Sequence, residues 1–276
     1  MGKRSSASFP SSASAAAWPG RWGGRLSDYQ AIIAPANVPW RVEELMRGCR
    51  LRAWEFDHHL TSQRQLEPHV SKVANSWRID VSVGLEAYIA SRKAAGAGAL
   101  GEMLRKSRKL QREHHVRFEW HVIDETVFNQ LLSWKSEQYH RSELTDLFSF
   151  PWIVAFLKDI WRTRTPRFSG MLSVLYVNDK PAAIHFGMQS GSLLRSWFPA
   201  YDLSLRKHSP GSALLLLILE HAAEHGVTMI DLGKGDDEYK FTFANGAVPL
   251  AAGIVETRLI TAALRQSWRP GRDWVR

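Results

Sequence analysis

"GMLSVLYVNDKPAAIHFGMQSGSLLRSWFPAYD" (residues 170–202) decides the fold. It holds three strand-like runs, "GMLSVLYVN", "AAIHFGMQ" and "LLRSWFPAYD". The links between them are Asn178-Asp179-Lys180-Pro181 and Ser190-Gly191. Links this short turn the chain straight back, so the pattern predicts a three-stranded antiparallel meander.

Downstream, "LRKHSPG" (205–211) leads into an apolar helix predicted over Ser212–His225 and ended by Gly226. "VTMIDLG" (227–233) then reads as a strand. A strand–helix–strand crossover sets this strand parallel to the last strand of the meander. Ser209 suits an N-cap, Pro210 the first helical turn and Gly211 a close approach to the backbone. The first turn of a helix offers free N–H groups and a partial positive charge to a phosphate. Arg206 and Lys207 add full charges just upstream.

"DLGKGDDEYKFTFANG" (231–246) follows the predicted strand with a dense run of acids, lysines and glycines. Asp231 is expected to end the strand, and Gly233 and Gly235 to let the chain leave the sheet sharply. Asp236 and Glu238 are candidate proton acceptors from an amine or hydroxyl. The plainer alternative is a rim of ion pairs, Asp236 with Lys234 or Lys240. His185, inside the meander, is a second candidate base, since an unperturbed imidazole titrates near ~6.5. No nucleophile triad is visible.

Upstream, Leu85–His114 is expected to be helical. Leu100, Met103, Leu104, Ser107 and Leu110 share one face, and Arg105, Arg108, Lys109 and Arg112 the other. The basic face is either solvated or bound to phosphates or an acidic polymer. "VRFEWHVI" (116–123) reads as a strand, and helices are expected over Thr126–Arg141 and Phe150–Arg162. In residues 25–80, "SDYQAIIAP" and "SWRIDVSV" look extended and "VEELMRGC" helical.

The 276 residues can bury a real core, and the net charge of +9 favours anionic partners. A single cysteine, Cys49, excludes an internal disulfide and suits a reduced cytoplasmic setting. No metal-ligand cluster stands out, so no metal is expected. The longest apolar run, Ala213–Leu219, is too short to span a bilayer. Residues 1–24 are rich in Ser and Ala and read as a disordered tail, and 266–276 as a basic tail.

The meander followed by Arg206-Lys207-His208-Ser209-Pro210-Gly211 and a helix resembles the GNAT acyl-CoA-dependent acyltransferases. That family's loop reads Arg/Gln-x-x-Gly-x-Gly/Ala. Here Ser209 replaces the first glycine and Pro210 removes one amide donor. "SPGSALLLLILEHAAEHGVTMIDLGKGDDEYKFTFANGA", with "LRKSRKLQRE", "WKSEQYHR", "IHFGM" and "SWFPAYD", is similar to the branch named for the cellulose-biosynthesis CelD protein, over about 26–256. That branch resembles the FemAB peptidyl transferases, built from two GNAT-like halves.

The resemblance implies an α/β (α+β) fold, a mixed and mostly antiparallel sheet flanked by helices. Residues 25–80 would be a shortened N-terminal GNAT-like half and 81–265 the C-terminal acyltransferase domain. Acetyl-CoA or another acyl-CoA would be the co-substrate. Arg206, Lys207, Ser209, Gly211 and Ser212 would hold it, with Trp197 and Phe198 beside the acyl group and amides near Ser196–Phe198 facing the oxyanion. Asp236, Glu238 or His185 would act as base, and Tyr239 would return a proton to the thiolate. Lys240, Asp231, Tyr201, Arg105, Lys135 and Tyr139 would meet the acceptor. A sugar or glycan acceptor and polysaccharide-synthesis partners follow from the CelD likeness. The alternatives are an aminoacyl-tRNA-dependent transferase and a non-catalytic accessory protein of polysaccharide assembly.

Overall fold

The computed structural model describes residues 26–35, 38–96 and 98–256. The expected Ser/Ala-rich and basic tails lie outside the described residues. The elements run α1 (Val42–Gly48), β1 (Ala53–Leu60), β2 (Val70–Asp80), α2 (Leu85–Ala94), α3 (Gly98–Glu113), β3 (Val116–Glu119), α4 (Glu125–Arg141) and α5 (Pro151–Arg162). They continue with β4 (Arg164–Thr165), β5 (Phe168–Val177), β6 (Lys180–Ser190), β7 (Leu193–Tyr201), α6 (Pro210–His221), β8 (Met229–Lys234), α7 (Glu238–Phe243) and β9 (Gly246–Glu256).

The chain divides into two compact units, one from residues before 75 together with 249 onward, the other from 75–248. In the first unit β1 pairs antiparallel with β9. Its core gathers Val42, Met46, Phe56, Leu66, Ala251 and Val255. Gly253 is required there, because a Cβ would sit 2.1 Å from the carbonyl oxygen of His69. "SDYQAIIAP" makes only an isolated bridge, Gln30 to His59, since its partners are side chains such as Gln63, bonded to both backbone groups of Ile32.

The second unit carries the predicted meander. β5, β6 and β7 pair antiparallel in sequence, β3 and β4 pair with β5, and β2 pairs antiparallel with β8. Asn178 and Asp179 both adopt positive φ (49° and 63°) in the first turn, which suits the twist of a tight hairpin. β8 runs parallel to β7, as the crossover through α6 requires. The sheet is thus mixed and mostly antiparallel. β5 and β6 are nearly continuously buried because helices cover both faces. On one face α6 packs with Tyr88, Leu100 and Leu110 of α2 and α3. On the other, Phe128 of α4 and Trp161 of α5 stack with ring centroids 4.8 Å apart, and Phe128 meets Phe186 of β6.

Four sequence expectations change in detail. The single helix over Leu85–His114 is two, parted at Gly96 with φ 80°. β3 stops at Glu119, and Val122 donates to the Leu172 carbonyl outside a ladder. α6 starts at Pro210, two residues early, and a short 3-10 turn carries the chain to Gly226 in the left-handed region. Ser209 does not cap with its side chain: it sits at φ 52°, reversing the chain between a 3-10 turn (Leu203–His208) and α6. Only its carbonyl joins the helix, accepting from the Ala213 N–H at 3.0 Å.

Candidate active site

β7 and β8 share three parallel pairs, ending at Arg195 opposite Asp231. β7 continues to Tyr201 and β8 to Lys234, so beyond that pair the two strands part. The parting coincides with a bulge in β7. Ser196 faces Gly187 and Phe198 faces Phe186, leaving Trp197 as the extra residue. A bulge re-aims a side chain and interrupts the ladder. Gly187 permits it, because a Cβ there would lie 2.3 Å from the Arg195 carbonyl oxygen. Half-buried Trp197 stacks on buried Phe198 at 5.0 Å and meets exposed Phe156 edge-on at 6.5 Å.

Asp231 sits inside β8 rather than at its end, and it is fully buried. Its carboxylate accepts from Ser76 Oγ at 2.9 Å, from Arg78 Nε at 3.2 Å, from the Gly233 N–H at 2.9 Å and from Arg195 Nη1. A buried carboxylate needs this many donors to offset desolvation. It is therefore a hub that ties β2, β7 and β8 together, and it does not face an acceptor. Arg78 and Arg195 were not foreseen. Their signal in the sequence is a lone charge inside an otherwise strand-like run, "SWRIDV" and "LLRSW".

Past the hub Gly233 of β8, at φ 80°, is still paired with Trp77, so the expected exit at Gly233 does not occur; the chain leaves the sheet after Lys234, through Gly235 at φ 127°. Gly233 also lies under the Arg195 guanidinium, 2.8 Å from where its Cβ would stand. Trp77 Nε1 donates to the Gly235 carbonyl at 3.0 Å. Lys240 is 5% exposed and turns back under the loop, donating to the Lys234 carbonyl at 2.8 Å and pairing with Asp237 at 2.9 Å. The expected partner, Asp236, instead projects into solvent, as does Glu238 in the first turn of α7. α7 is held from behind by Tyr88, whose hydroxyl donates to the Phe243 carbonyl, and by Arg92, bonded to the Phe241 and Thr242 carbonyls.

Tyr239 is half-buried, and burial, followed by the Asp237 charge, pushes its phenol above the ordinary value. It is a protonated phenol at neutral pH. Lys135 of α4 is buried and donates to Gln138 Oε1 at 2.8 Å. Desolvation lowers its ammonium to about 8, partly opposed by Asp237, with Lys240 lowering it further. Lys135, Asp237, Lys240 and Tyr239 thus share one electrostatic neighbourhood. Tyr139, one turn on from Lys135, lies with its ring centroid 5.4 Å from the Lys135 ammonium and 5.7 Å from the Phe148 ring.

His185 is buried at 4% exposure, with Nε2 3.0 Å from Ser196 Oγ and no hydrogen-bond partner for Nδ1. Desolvation lowers it to about 4, so it is neutral at pH 7. It lies in the protein interior behind the bulge, which places it away from an acceptor's proton. Gly211 stands in the first turn of α6, and a Cβ there would meet the Tyr201 ring at 3.4 Å. Ser212 is half-buried in the same turn, while Arg206 and Lys207 are exposed on the preceding 3-10 turn. Arg105 lies on the exposed face of α3, bonded to Glu102 at 2.7 Å.

Among the described residues no helix is long and apolar enough to cross a membrane. The sequence profile of the acetyltransferase (GNAT) domain matches residues 99–241. No curated protein matches the sequence. Among solved structures, the chain is similar to the C-terminal domain of an Agrobacterium fabrum protein assigned as a lysylphosphatidylglycerol synthetase. That likeness has 13% identity and a TM-score of 0.54 and covers 81% of this chain and 73% of that one. The structure of L-PGS from Bacillus licheniformis has 10% identity and a TM-score of 0.45, covering 82% of this chain and 76% of that one. A tandem GNAT protein of the clavulanic acid biosynthesis pathway has 11% identity and a TM-score of 0.39, covering 77% and 66%.

Proposed function

The chain belongs to the acetyltransferase (GNAT) domain family, and from that premise we propose that it moves an acyl group from an acyl-CoA to an amine or hydroxyl acceptor. The observation that carries this reading is the parting of β7 from β8 after Arg195 and Asp231, beside the Trp197 bulge and one crossover away from the first turn of α6. A parted parallel pair leaves strand-edge amides open to an extended ligand between them.

The chain's own residues fit a coenzyme A thioester. Pro210 has no N–H, but Gly211 and Ser212 supply first-turn amides that an α-helix leaves without intrahelical partners. The missing Cβ of Gly211 keeps that turn open beneath Tyr201. Arg206 and Lys207 add charge for a pyrophosphate. The thioester supplies an activated acyl carbon. Backbone N–H groups around Trp197 and Phe198, turned off the ladder by the bulge, are suited to hold its carbonyl oxygen as negative charge develops. Asp236 and Glu238, exposed beside the parting, accept the acceptor's proton. Tyr239, kept protonated, donates to the departing sulfur. Lys135 offers positive charge to the acceptor, while Lys240, held by Asp237 and the Lys234 carbonyl, shapes the turn beside it.

The acceptor we favour is a sugar or glycan of polysaccharide assembly, on the strength of the CelD-like motifs. A second reading, aminoacyl-tRNA as donor, draws on the exposed Arg105, Arg108, Lys109 and Arg112 face of α3. One experiment tests both. The protein is incubated with acetyl-CoA, longer acyl-CoAs or charged tRNA and a panel of amines and amino sugars, with free thiol and product mass followed. A thermal-shift series runs beside it, where a ligand at 100 times its dissociation constant adds ~2.7 kcal/mol. Thiol release in the acyl-CoA arms supports the first reading. Absence of both thiol release and thermal shift with every acyl-CoA overturns it.

A further inference from the structure

α3 and the 3-10 turn Leu203–His208 meet over a cleft of about 160 Å³ lined by Arg105, Lys106, Lys109, Glu113, Lys207 and His208. Four of these six carry positive charge and one is a carboxylate. That carboxylate, Glu113, is already faced by Lys109 at 3.7 Å, while Arg105 and Lys106 share Glu102 at 2.7 and 3.9 Å. Lys207 enters from the opposite wall. His208 is 6% exposed and meets His114 edge-on at 5.5 Å.

Glu113, His114 and His208 place one donor atom each within 4.8 Å of one another, a spacing that a transition metal could use. The surrounding charge argues against it. A divalent ion would stand among four cations, and its only carboxylate ligand is faced by Lys109. The same charges favour an anion. The cleft has room for one phosphate group with some hydration.

Lys207 and His208 run directly into Ser209, Pro210 and Gly211, the turn assigned above to a pyrophosphate. Coenzyme A carries a further phosphate, a monoester on its ribose. At pH 7 such a group holds a charge of roughly −1.5 to −2. We propose that this cleft is a phosphomonoester pocket for the ribose 3′-phosphate of the coenzyme A donor, so that the protein selects coenzyme A over its 3′-dephospho form. This inference rests on the acyl-CoA reading, and its test separates the two.

Coenzyme A, 3′-dephospho-coenzyme A, adenosine 3′,5′-bisphosphate and adenosine 5′-monophosphate are titrated calorimetrically into the full chain and into Lys106→Gln/Lys109→Gln. The parent should bind coenzyme A about ten- to a hundredfold more tightly than the dephospho form, the span expected for charged hydrogen bonds to one group. The bisphosphate should bind more tightly than the monophosphate. Both preferences should collapse in the double variant and weaken with salt. Equal parental affinity for coenzyme A and its dephospho form overturns the pocket while leaving the acyl-CoA reading standing. If neither form binds, the acyl-CoA reading itself falls, and the pocket with it. Should the double variant not fold, the parental comparison decides alone.

Discussion

Lys240 reaches back six residues to donate to the carbonyl of Lys234 while its ammonium lies 2.9 Å from the Asp237 carboxylate. One buried cation thereby closes the turn through which the chain leaves the sheet. Lys240→Met removes both interactions and leaves a carbonyl without its donor. Unfolding free energy should fall by about 1–3 kcal/mol, read from urea denaturation. Loss of acceptor binding without any loss of stability would instead make Lys240 a ligand to substrate.

Asp231→Asn should be among the most damaging single-atom changes in the chain. It leaves Arg78 and Arg195 facing each other across the hub without a charge between them. Removing one partner of a buried pair costs about 3–5 kcal/mol. Chemical denaturation should show this, and Ser76→Ala, which removes one neutral donor, should cost far less.

Asp236→Asn and Tyr239→Phe should separate along the reaction. Asp236 is exposed, so the amide variant should melt like the parent, while turnover falls by ~10²–10⁴-fold if it is the base. Glu238→Gln serves as the internal comparison for that role. Tyr239→Phe should slow turnover most with donors whose sulfur is a poor leaving group. Steady-state kinetics on a series of thioesters checks both.

Stability should depend on pH through His185 and His121. Burial lowers both to about 4 in the folded chain, against an unfolded value of 6.5. The unfolded state therefore binds more protons between these values, and stability rises with pH across that window. It is fully present above about pH 6.5 and drains away toward pH 4, at up to about 1.4 kcal/mol per pH unit for each group. Urea midpoints measured from pH 7.5 to 4.5 should show the fall, and His185→Gln should flatten part of it. A slope unchanged in that variant would exclude His185 as its source.

Gly211→Glu places a carboxylate in the first turn of α6, under the Tyr201 ring. It should abolish coenzyme A binding in calorimetry while leaving circular dichroism intact. Unchanged affinity would remove the pyrophosphate from this turn.

The meander, the crossover and the parallel return strand were legible because each depends on local pattern: apolar runs, tight links and an apolar helix ended by glycine. The exit from the sheet at Gly235 was legible for the same reason. The roles around it were not. Ser209 has the chemistry of a cap, but it stands in the left-handed region between a 3-10 turn and α6, and its side chain makes no cap bond. Asp231 reads as the last residue of its strand, facing the acceptor, yet it is held by Ser76 and Arg78, residues more than 150 positions away that no local pattern links to it. Lys240 pairs with Asp237 rather than Asp236 because α7 begins at Glu238, and Asp237 at its N-cap lies three residues, about one turn, before Lys240.

The hub has a consequence for how the protein is made. Hairpins β5–β6–β7 can assemble as soon as residue 201 clears the ribosome, since the pairing among these three strands is between chain neighbours. Ser76 must wait for a partner 155 residues further along the chain. Until β8 emerges, the edge of β2 from Asn75 onward has no β8 to pair with, and closing so long a loop is slow relative to hairpin formation. The parting of the strands and the turn beyond it are therefore among the last features to form in this unit. A nascent chain stalled before residue 229 would contain the meander and α6 but no site, and would display an unpaired strand edge to chaperones.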